Sequence, residues 1–143
     1  MTTRRENILD GVVAALAGTT GVSTRIYRSR AVALSRAETP ALIVEWSTDT
    51  PDRVSAGTSL SWDLTVTVSV VVRGDKPDEI ADPIIESLHN KITGDVTLSG
   101  LCFDVVPGAH SLQIVDADQP AGVVGCEYVI RYRTRETDLT QAA

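Results

Sequence analysis

The sequence predicts an α+β fold, a two-layer sandwich in which two amphipathic helices cover one face of a mixed, mainly antiparallel sheet. Two long alternating runs support this prediction, at Leu60–Arg73 and Val123–Arg135. In both runs the apolar residues concentrate at even-numbered positions and the polar residues at odd-numbered ones, which is the period of a half-buried strand. The first run would span roughly 40 Å, whereas a typical strand has about 5–6 residues. A small domain does not need a strand of that length for its own core.

Two further segments have the helical spacing that would supply the second layer. The first is predicted over residues 4–17, with Thr3 as its cap and Gly18 as its stop. In the second, isoleucine and leucine recur four residues apart after a predicted cap at Asp75. Pro83 lies inside that pattern, so this helix either kinks or restarts there.

The rest of the chain divides into short strands and two irregular segments, and the whole of 1–143 is predicted as one domain. Residues 47–59 have no periodicity and are rich in Ser, Thr, Asp, Pro and Gly, so they are predicted as a mobile loop or an arm that a partner orders. Residues 136–143 are predicted as a loose polar tail. The predicted short strands are Ile26–Arg30, 41–46, Leu101–Val106 and Leu112–Val115, with a turn at Pro107–Ala109 between the last two.

Composition narrows the classes of function. The chain has 143 residues, 43% of them apolar, and this is enough for a real core. Its formal charge of −6 argues against a dedicated nucleic-acid binder, whose partner is a polyanion. The apolar run near the N-terminus is short and interrupted by Asn7 and Asp10, so it predicts a helix rather than a signal peptide. No segment approaches the length of a membrane span, and no membrane association is expected.

No catalytic or cofactor motif is present in the sequence. His89 and His110 have no Cys or acid at ligand spacing, so a zinc site is not expected. Cys102 and Cys126 each lie in an apolar stretch without a CxxC pattern, which predicts two buried free thiols in a reducing, cytoplasmic compartment. We therefore expect a protein that is not an enzyme and has neither a metal nor a cofactor.

The arginines are the side chains that most need a partner. Arginine outnumbers lysine eleven to two, and it is the cation that proteins favour in ordered ion pairs and interfaces. One interpretation is contact with a polyanion or with a neighbouring chain; the other is ordinary solvated strand residues paired across strands, for example with Asp63. The residues predicted for an interface are Arg28, Arg30, Asp49, Asp52, Arg53, Arg131, Arg133 and Arg135.

The chain resembles the tail terminators, also called tail completion or minor tail proteins, of long-tailed bacteriophages. The resemblance covers nearly the whole chain in the same element order and rests on structural patterns. The segments that carry it are RRENILDGVVAALAG, RIYRSRAVAL, PALIVEW, WDLTVTVSVVVRGD, EIADPIIESLHNKI and AGVVGCEYVIRYRTRETDLT. Residues 47–59 match nothing in it.

The resemblance implies a virion protein that is assembled in the host cytoplasm and lies at the neck end of the tail. Such proteins form a hexameric ring that docks on the last ring of the tail tube and stops its polymerisation. The other face of the ring receives the neck or head–tail connector, and DNA passes through the hole without specific binding. Because DNA would adhere to arginines lining the hole, we expect the arginine-bearing face to meet a neighbouring protein chain.

Two alternatives remain open from the sequence. The chain could be a neck or head–tail joining protein of the same particle, which would bind rings on the portal side and leave tube length unregulated. It could also be a small cytosolic ligand-binding α+β domain, which would need an apolar pocket with convergent polar groups. The sequence contains no sign of such a pocket.

Overall fold

The computed structural model describes residues 2–28, 39–53, 58–115 and 121–142. The chain forms one open, five-stranded mixed sheet with two helices on one side of it, so the predicted α+β fold is confirmed. In chain order the elements are α1 (Arg4–Leu16), β1 (Ile26–Arg28), β2 (Ala41–Arg53), β3 (Ser59–Arg73), α2 (Pro77–Thr93), β4 (Asp104–Val115) and β5 (Ala121–Arg135).

The two long strands predicted from the sequence are neighbours at the centre of the sheet. The strand order is β1-β2-β3-β5-β4, and β3 pairs with β5 without interruption from Ser59 opposite Arg135 to Arg73 opposite Ala121. Among the described strands, the β1–β2 pair is parallel and the other three pairs are antiparallel. Even-numbered residues of β3 face even-numbered residues of β5, so the predicted single apolar face is present.

The core lies between that apolar face and the two helices. α1 packs against β1, β2 and α2, whereas α2 packs against β3, β5 and β4. Burying one aliphatic side chain of this kind contributes about 1.5–3 kcal/mol, so this layer is the main source of stability. The core side chains of the four main contributors are Ile8, Leu9, Val12 and Leu16 in α1; Ala81, Ile84, Leu88 and Ile92 in α2; Leu64, Val66, Val68, Val70 and Val72 in β3; and Val124, Cys126, Tyr128, Ile130 and Tyr132 in β5.

Cys102 and Cys126 are both buried and unpaired, as predicted. The Cys102 thiol donates a hydrogen bond to the carbonyl oxygen of Val96, at 3.2 Å. Burial raises the pKa of each thiol to about 11. At neutral pH both side chains are therefore protonated core residues rather than nucleophiles.

The helices follow the prediction closely, with one correction at a cap. The Thr3 hydroxyl accepts a hydrogen bond from the Glu6 amide at 3.2 Å, which caps α1. Asp75 does not cap α2, because the cap position is Lys76 and Pro77 is the first helical residue. A proline at that position needs no amide partner, since the first amides of a helix have none within it. The helix then continues through Pro83 without restarting.

Two predicted loops are strand instead, and both contain a β-bulge. β2 continues to Arg53, so the loop predicted at 47–59 is wrong over residues 47–53; residues 54–57 lie outside the described part of the chain. The pairing of β2 with β3 shifts at Ser47, between Trp46 and Thr48. Residues 47–53 (STDTPDR) contain no aliphatic or aromatic residue, so no apolar alternation marks them as a strand in the sequence.

The turn predicted at Pro107–Ala109 is also wrong. β4 is one strand from Asp104 to Val115, with a register shift between Pro107 and His110. β4 is at the edge of the sheet, where a proline and a bulge are tolerated. Gly108 suits this position because a Cβ there would lie only 3.1 Å from the Cβ of Glu127.

Residues 136–142, here called the C-terminal segment, fold back on the sheet and do not form the predicted loose tail. The Arg4 amide donates to the carbonyl oxygen of Leu139 at 2.8 Å, and the Arg135 amide donates to that of Gln141 at 3.1 Å. The Asp138 carboxylate accepts from the Thr140 amide and hydroxyl, at 2.9 and 2.6 Å, and these bonds lower the pKa of Asp138. The segment is therefore tied to the start of α1 and the end of β5.

Candidate protein-interaction surface

The sheet surface opposite the helices, here called the open face, is polar and uncovered over the described residues. It is formed by the odd-numbered residues of β3 and β5, and by β2 and β4 residues on the same side. Its charged members include five carboxylates and four guanidinium groups, so the face carries both signs in near balance. They are Glu45, Asp52, Asp63, Asp104, Glu127, Arg73, Arg131, Arg133 and Arg135.

Arg131 lies at the centre of a row of charges across three strands. It is opposite Asp63 of β3 on one side and Asp104 of β4 on the other, with N–O distances of 3.4 and 4.0 Å. The interpretation of Arg131 as a strand residue paired with Asp63 is therefore confirmed. All three side chains are 41–55% exposed, so each ion pair is worth at most about 1 kcal/mol. The two carboxylates orient the Arg131 guanidinium and add little to the free energy of unfolding.

Arg133 and Arg135 differ from Arg131 in their surroundings. The Arg133 guanidinium lies over the ring of Phe103, 4.9 Å from its centre, and no described carboxylate forms an ion pair with it. The main chain of Arg135 pairs with that of Asp138 in the C-terminal segment. Both Arg133 and Arg135 are exposed. Their contact with another chain stays a prediction.

Alternation along the strand separates the three charged residues predicted within the β2 segment, and the Ser47 bulge decides which side each of them faces. Asp52 lies on the open face, opposite Ser61. Arg53 forms an ion pair with Glu136, which joins the end of β2 to the C-terminal segment. Asp49 is turned to the helix side, where its carboxylate is only 3% exposed. The predicted interface role does not fit the placement of Asp49.

Asp49 instead belongs to an internal network at the end of the helix layer. Its Oδ2 accepts a hydrogen bond from the Tyr132 hydroxyl at 2.5 Å and lies 3.5 Å from Nη1 of Arg5. Arg5 also covers the ring of Trp46, with its Cζ 4.2 Å from the ring centre. Trp62 stacks on Tyr132. Burial raises the pKa of Asp49, and this effect outweighs the lowering by the Tyr132 and Arg5 contacts. Burial and the hydrogen bond to Asp49 both raise the pKa of Tyr132.

Arg28 is likewise used within the subunit. Its guanidinium lies 3.1 Å from a carboxylate oxygen of Glu6 and 2.9 Å from one of Asp10, both on α1. These contacts attach β1 to the helix layer. Arg30, also predicted for the interface, lies outside the described residues.

Two long edges of the sheet have no strand beside them within the described residues. β4 borders the sheet along its whole length, and its Leu112 and Ile114 side chains are 49% and 58% exposed. On the opposite side, β1 pairs only with Leu42–Val44, which leaves the outer edge of β2 from Trp46 to Arg53 without a strand neighbour. Sequence reasoning missed the β4 edge because exposed and buried apolar residues look alike in the alternation, and it missed the β2 edge because residues 47–53 were predicted as a loop.

The described residues contain no cluster of three or more His, Cys, Asp or Glu side chains that could hold a metal ion. Neither described helix has the length and apolar character that a bilayer-spanning helix needs.

The sequence matches no protein-family model and no curated protein. The surface described above is therefore interpreted from its own geometry.

Proposed function

We propose that this protein is a tail terminator of a long-tailed bacteriophage, a structural subunit whose ring caps the tail tube and receives the neck. The sequence resemblance suggests the family. The observation that carries the proposal is the open sheet with two different edges that no other described strand covers, β4 on one side and the Trp46–Arg53 part of β2 on the other. An enzymatic role is not part of the proposal.

The β4 edge has the properties of a subunit contact. An edge strand presents unpaired amides and carbonyls, and proteins that remain monomeric usually protect such a strand with charges, a proline, a bulge or a covering element. In β4 the proline and the bulge lie before His110, and residues 110–115 contain no Lys, Arg, Asp or Glu. β4 has twelve residues, and Leu112 and Ile114 project from it beyond the cover that α2 provides. Two large aliphatic side chains exposed next to an open edge favour association with another chain.

The β2 edge supplies a different surface at the other end of the sheet. Beyond the short β1 pairing it continues for eight residues, from Trp46 to Arg53, and the Trp46 side chain is 39% exposed. A ring requires head-to-tail contacts in which two unlike surfaces of each subunit meet. Two unlike edges on opposite sides of one sheet meet that requirement, and the resemblance suggests six subunits.

The charge balance of the open face is compatible with a ring that DNA traverses. Arg131 has a carboxylate on each side, and the face as a whole has one more carboxylate than guanidinium groups among the described residues. Adhesion to a polyanion requires a clear excess of positive charge. With this charge balance, the open face can border the channel or a neighbouring protein chain without trapping DNA. For Arg133 and Arg135, contact with a neighbouring protein chain remains our prediction.

Native mass spectrometry of the purified protein, with and without tail tubes, tests the proposal. We expect a closed ring, or a monomer that assembles on tube ends, and shorter tubes when the protein is present during tube growth. Ile114→Lys should weaken the ring at least tenfold, because it places a charge in the proposed contact. Asn90→Lys adds the same charge on an exposed part of α2 and should leave the ring unchanged.

A strict monomer that never binds tube ends would contradict the proposal. Binding to portal-side rings without any effect on tube length would assign the chain to the neck instead. Equal ring stability of the Ile114→Lys and Asn90→Lys proteins would exclude the β4 edge as the contact.

A further inference from the structure

The outer edge of β5 has a gap at Arg133. On one side of the gap, the Phe103 amide donates to the Arg131 carbonyl at 2.9 Å; on the other, the Arg135 amide donates to the Gln141 carbonyl at 3.1 Å. Main-chain groups of alternate residues in a strand point to the same edge. The amide and carbonyl of Arg133 therefore face outwards between these two bonds, and no described backbone group pairs with them.

An open pocket of about 400 Å³ lies at this position. Its lining includes Arg4 at the start of α1, Arg133 of β5 and Phe103, a residue that is 46% exposed. Ala142 of the C-terminal segment borders it at the far end. The pocket thus combines exposed main-chain groups, an aromatic surface and two positive charges.

Neither guanidinium has a carboxylate partner within the described residues. Arg4 is held by a 2.9 Å hydrogen bond from its Nη2 to the Leu101 carbonyl, while its Nε is buried and has no hydrogen-bond partner among the described residues. The Arg133 guanidinium lies over the Phe103 ring. In a chain of net charge −6, two such arginines in one pocket form a local positive site. A guanidinium fork matches a carboxylate in shape and charge.

We infer that this gap binds an extended segment of a partner protein that carries an Asp or Glu side chain. The segment pairs with the main chain of Arg133 as a short added strand, and its carboxylate binds the Arg133 guanidinium, while Arg4 adds a second positive charge to the same pocket. Arg131 and Arg135 are four residues apart, about 13 Å along a strand, so three residues fit between Phe103 and the C-terminal segment. The gap is separate from the two edges proposed for the ring, and this inference does not depend on ring formation.

Titration of the full-length, ¹⁵N-labelled chain with the blocked tripeptide acetyl-Val-Asp-Val-amide tests the inference by NMR. We expect shifts centred on the amides of Phe103, Arg133 and Ala142. The matched peptide with Asn in place of Asp should bind at least tenfold more weakly. Sodium acetate, which offers a carboxylate without a peptide backbone, should also bind at least tenfold more weakly.

Substitutions distinguish the gap from general attraction to a positive charge. Arg133→Gln should weaken peptide binding at least tenfold, whereas Arg133→Lys should retain part of it. Lys76→Gln removes an exposed cation far from the gap and should not change binding. The inference is wrong if the Asp and Asn peptides bind equally, if acetate binds as tightly as the peptide, if Arg133→Gln binds like the parent, or if the shifts centre on other residues.

Discussion

The hydroxyl of Tyr132 donates a hydrogen bond to the buried carboxylate of Asp49, across the sheet from β5 to β2, with β3 between them. The bond joins β5 to the part of β2 that lies beyond the Ser47 bulge. It also provides a neutral donor to a carboxylate that is only 3% exposed. Four predictions test this network and the packing around it.

Tyr132→Phe should destabilise the protein by about 1–3 kcal/mol at neutral pH. The substitution keeps the ring that stacks on Trp62 but leaves the buried Asp49 carboxylate without its hydroxyl donor. Urea unfolding of the parent, Tyr132→Phe, Asp49→Asn and the double variant would give the coupling between the two residues. Additive effects of the two single substitutions would mean that the bond contributes nothing.

Stability should depend on pH through Asp49. Because burial raises the pKa of Asp49 in the folded protein, the folded state holds this proton more tightly than the unfolded chain does. The contribution of the group to the free energy of unfolding is therefore greatest in acid and is lost as pH rises from the ordinary value of 3.8 through the raised pKa.

Comparison with Asp49→Asn isolates this effect, since the other carboxyl groups are common to both proteins. The parent should lose stability relative to Asp49→Asn as the pH of the urea series is raised from 3.5 to 7. A difference that stays constant, or that grows in favour of the parent, would show that the folded-state pKa is not raised.

Val68→Asp should prevent stable folding, whereas Ser69→Asp should be tolerated. Val68 is fully buried at the centre of β3, and an unpaired carboxylate there would cost several kcal/mol out of a typical total of about 5–15. Ser69 is the adjacent residue on the open face, so its side chain can remain hydrated. Circular dichroism and thermal melting would separate the two, and a folded Val68→Asp protein would mean that the two faces are assigned backwards.

Gly122→Ala should destabilise the protein by about 1–3 kcal/mol, because a Cβ at this position would lie 2.5 Å from the Cβ of Pro77. This glycine lets the start of α2 approach β5. Gly125→Ala is the matched control, since its Cβ would lie at an ordinary 3.4 Å from the side chains of Ser111 and Thr67. Equal melting temperatures for the two variants would show that α2 can shift without cost.

The sequence identified the elements whose pattern is local. Alternation in Leu60–Arg73 and Val123–Arg135 indicated two long strands with even-numbered residues buried, and both predictions are confirmed. The spacing of apolar residues in the two helices is equally local, because residues three or four apart lie on the same face of one helix. Pairing of Arg131 with Asp63 could also be anticipated, since both lie on the polar side of these runs.

Bulges and sheet edges were decided by the tertiary structure alone. A bulge at Ser47 changes which side of β2 each later residue faces, and this depends on the partner strand rather than on β2 itself. It turns Asp49 inwards and places Asp52 on the open face. The exposure of Leu112 and Ile114 depends likewise on how far α2 extends across the sheet, so their alternation predicts a strand but cannot say whether anything covers it.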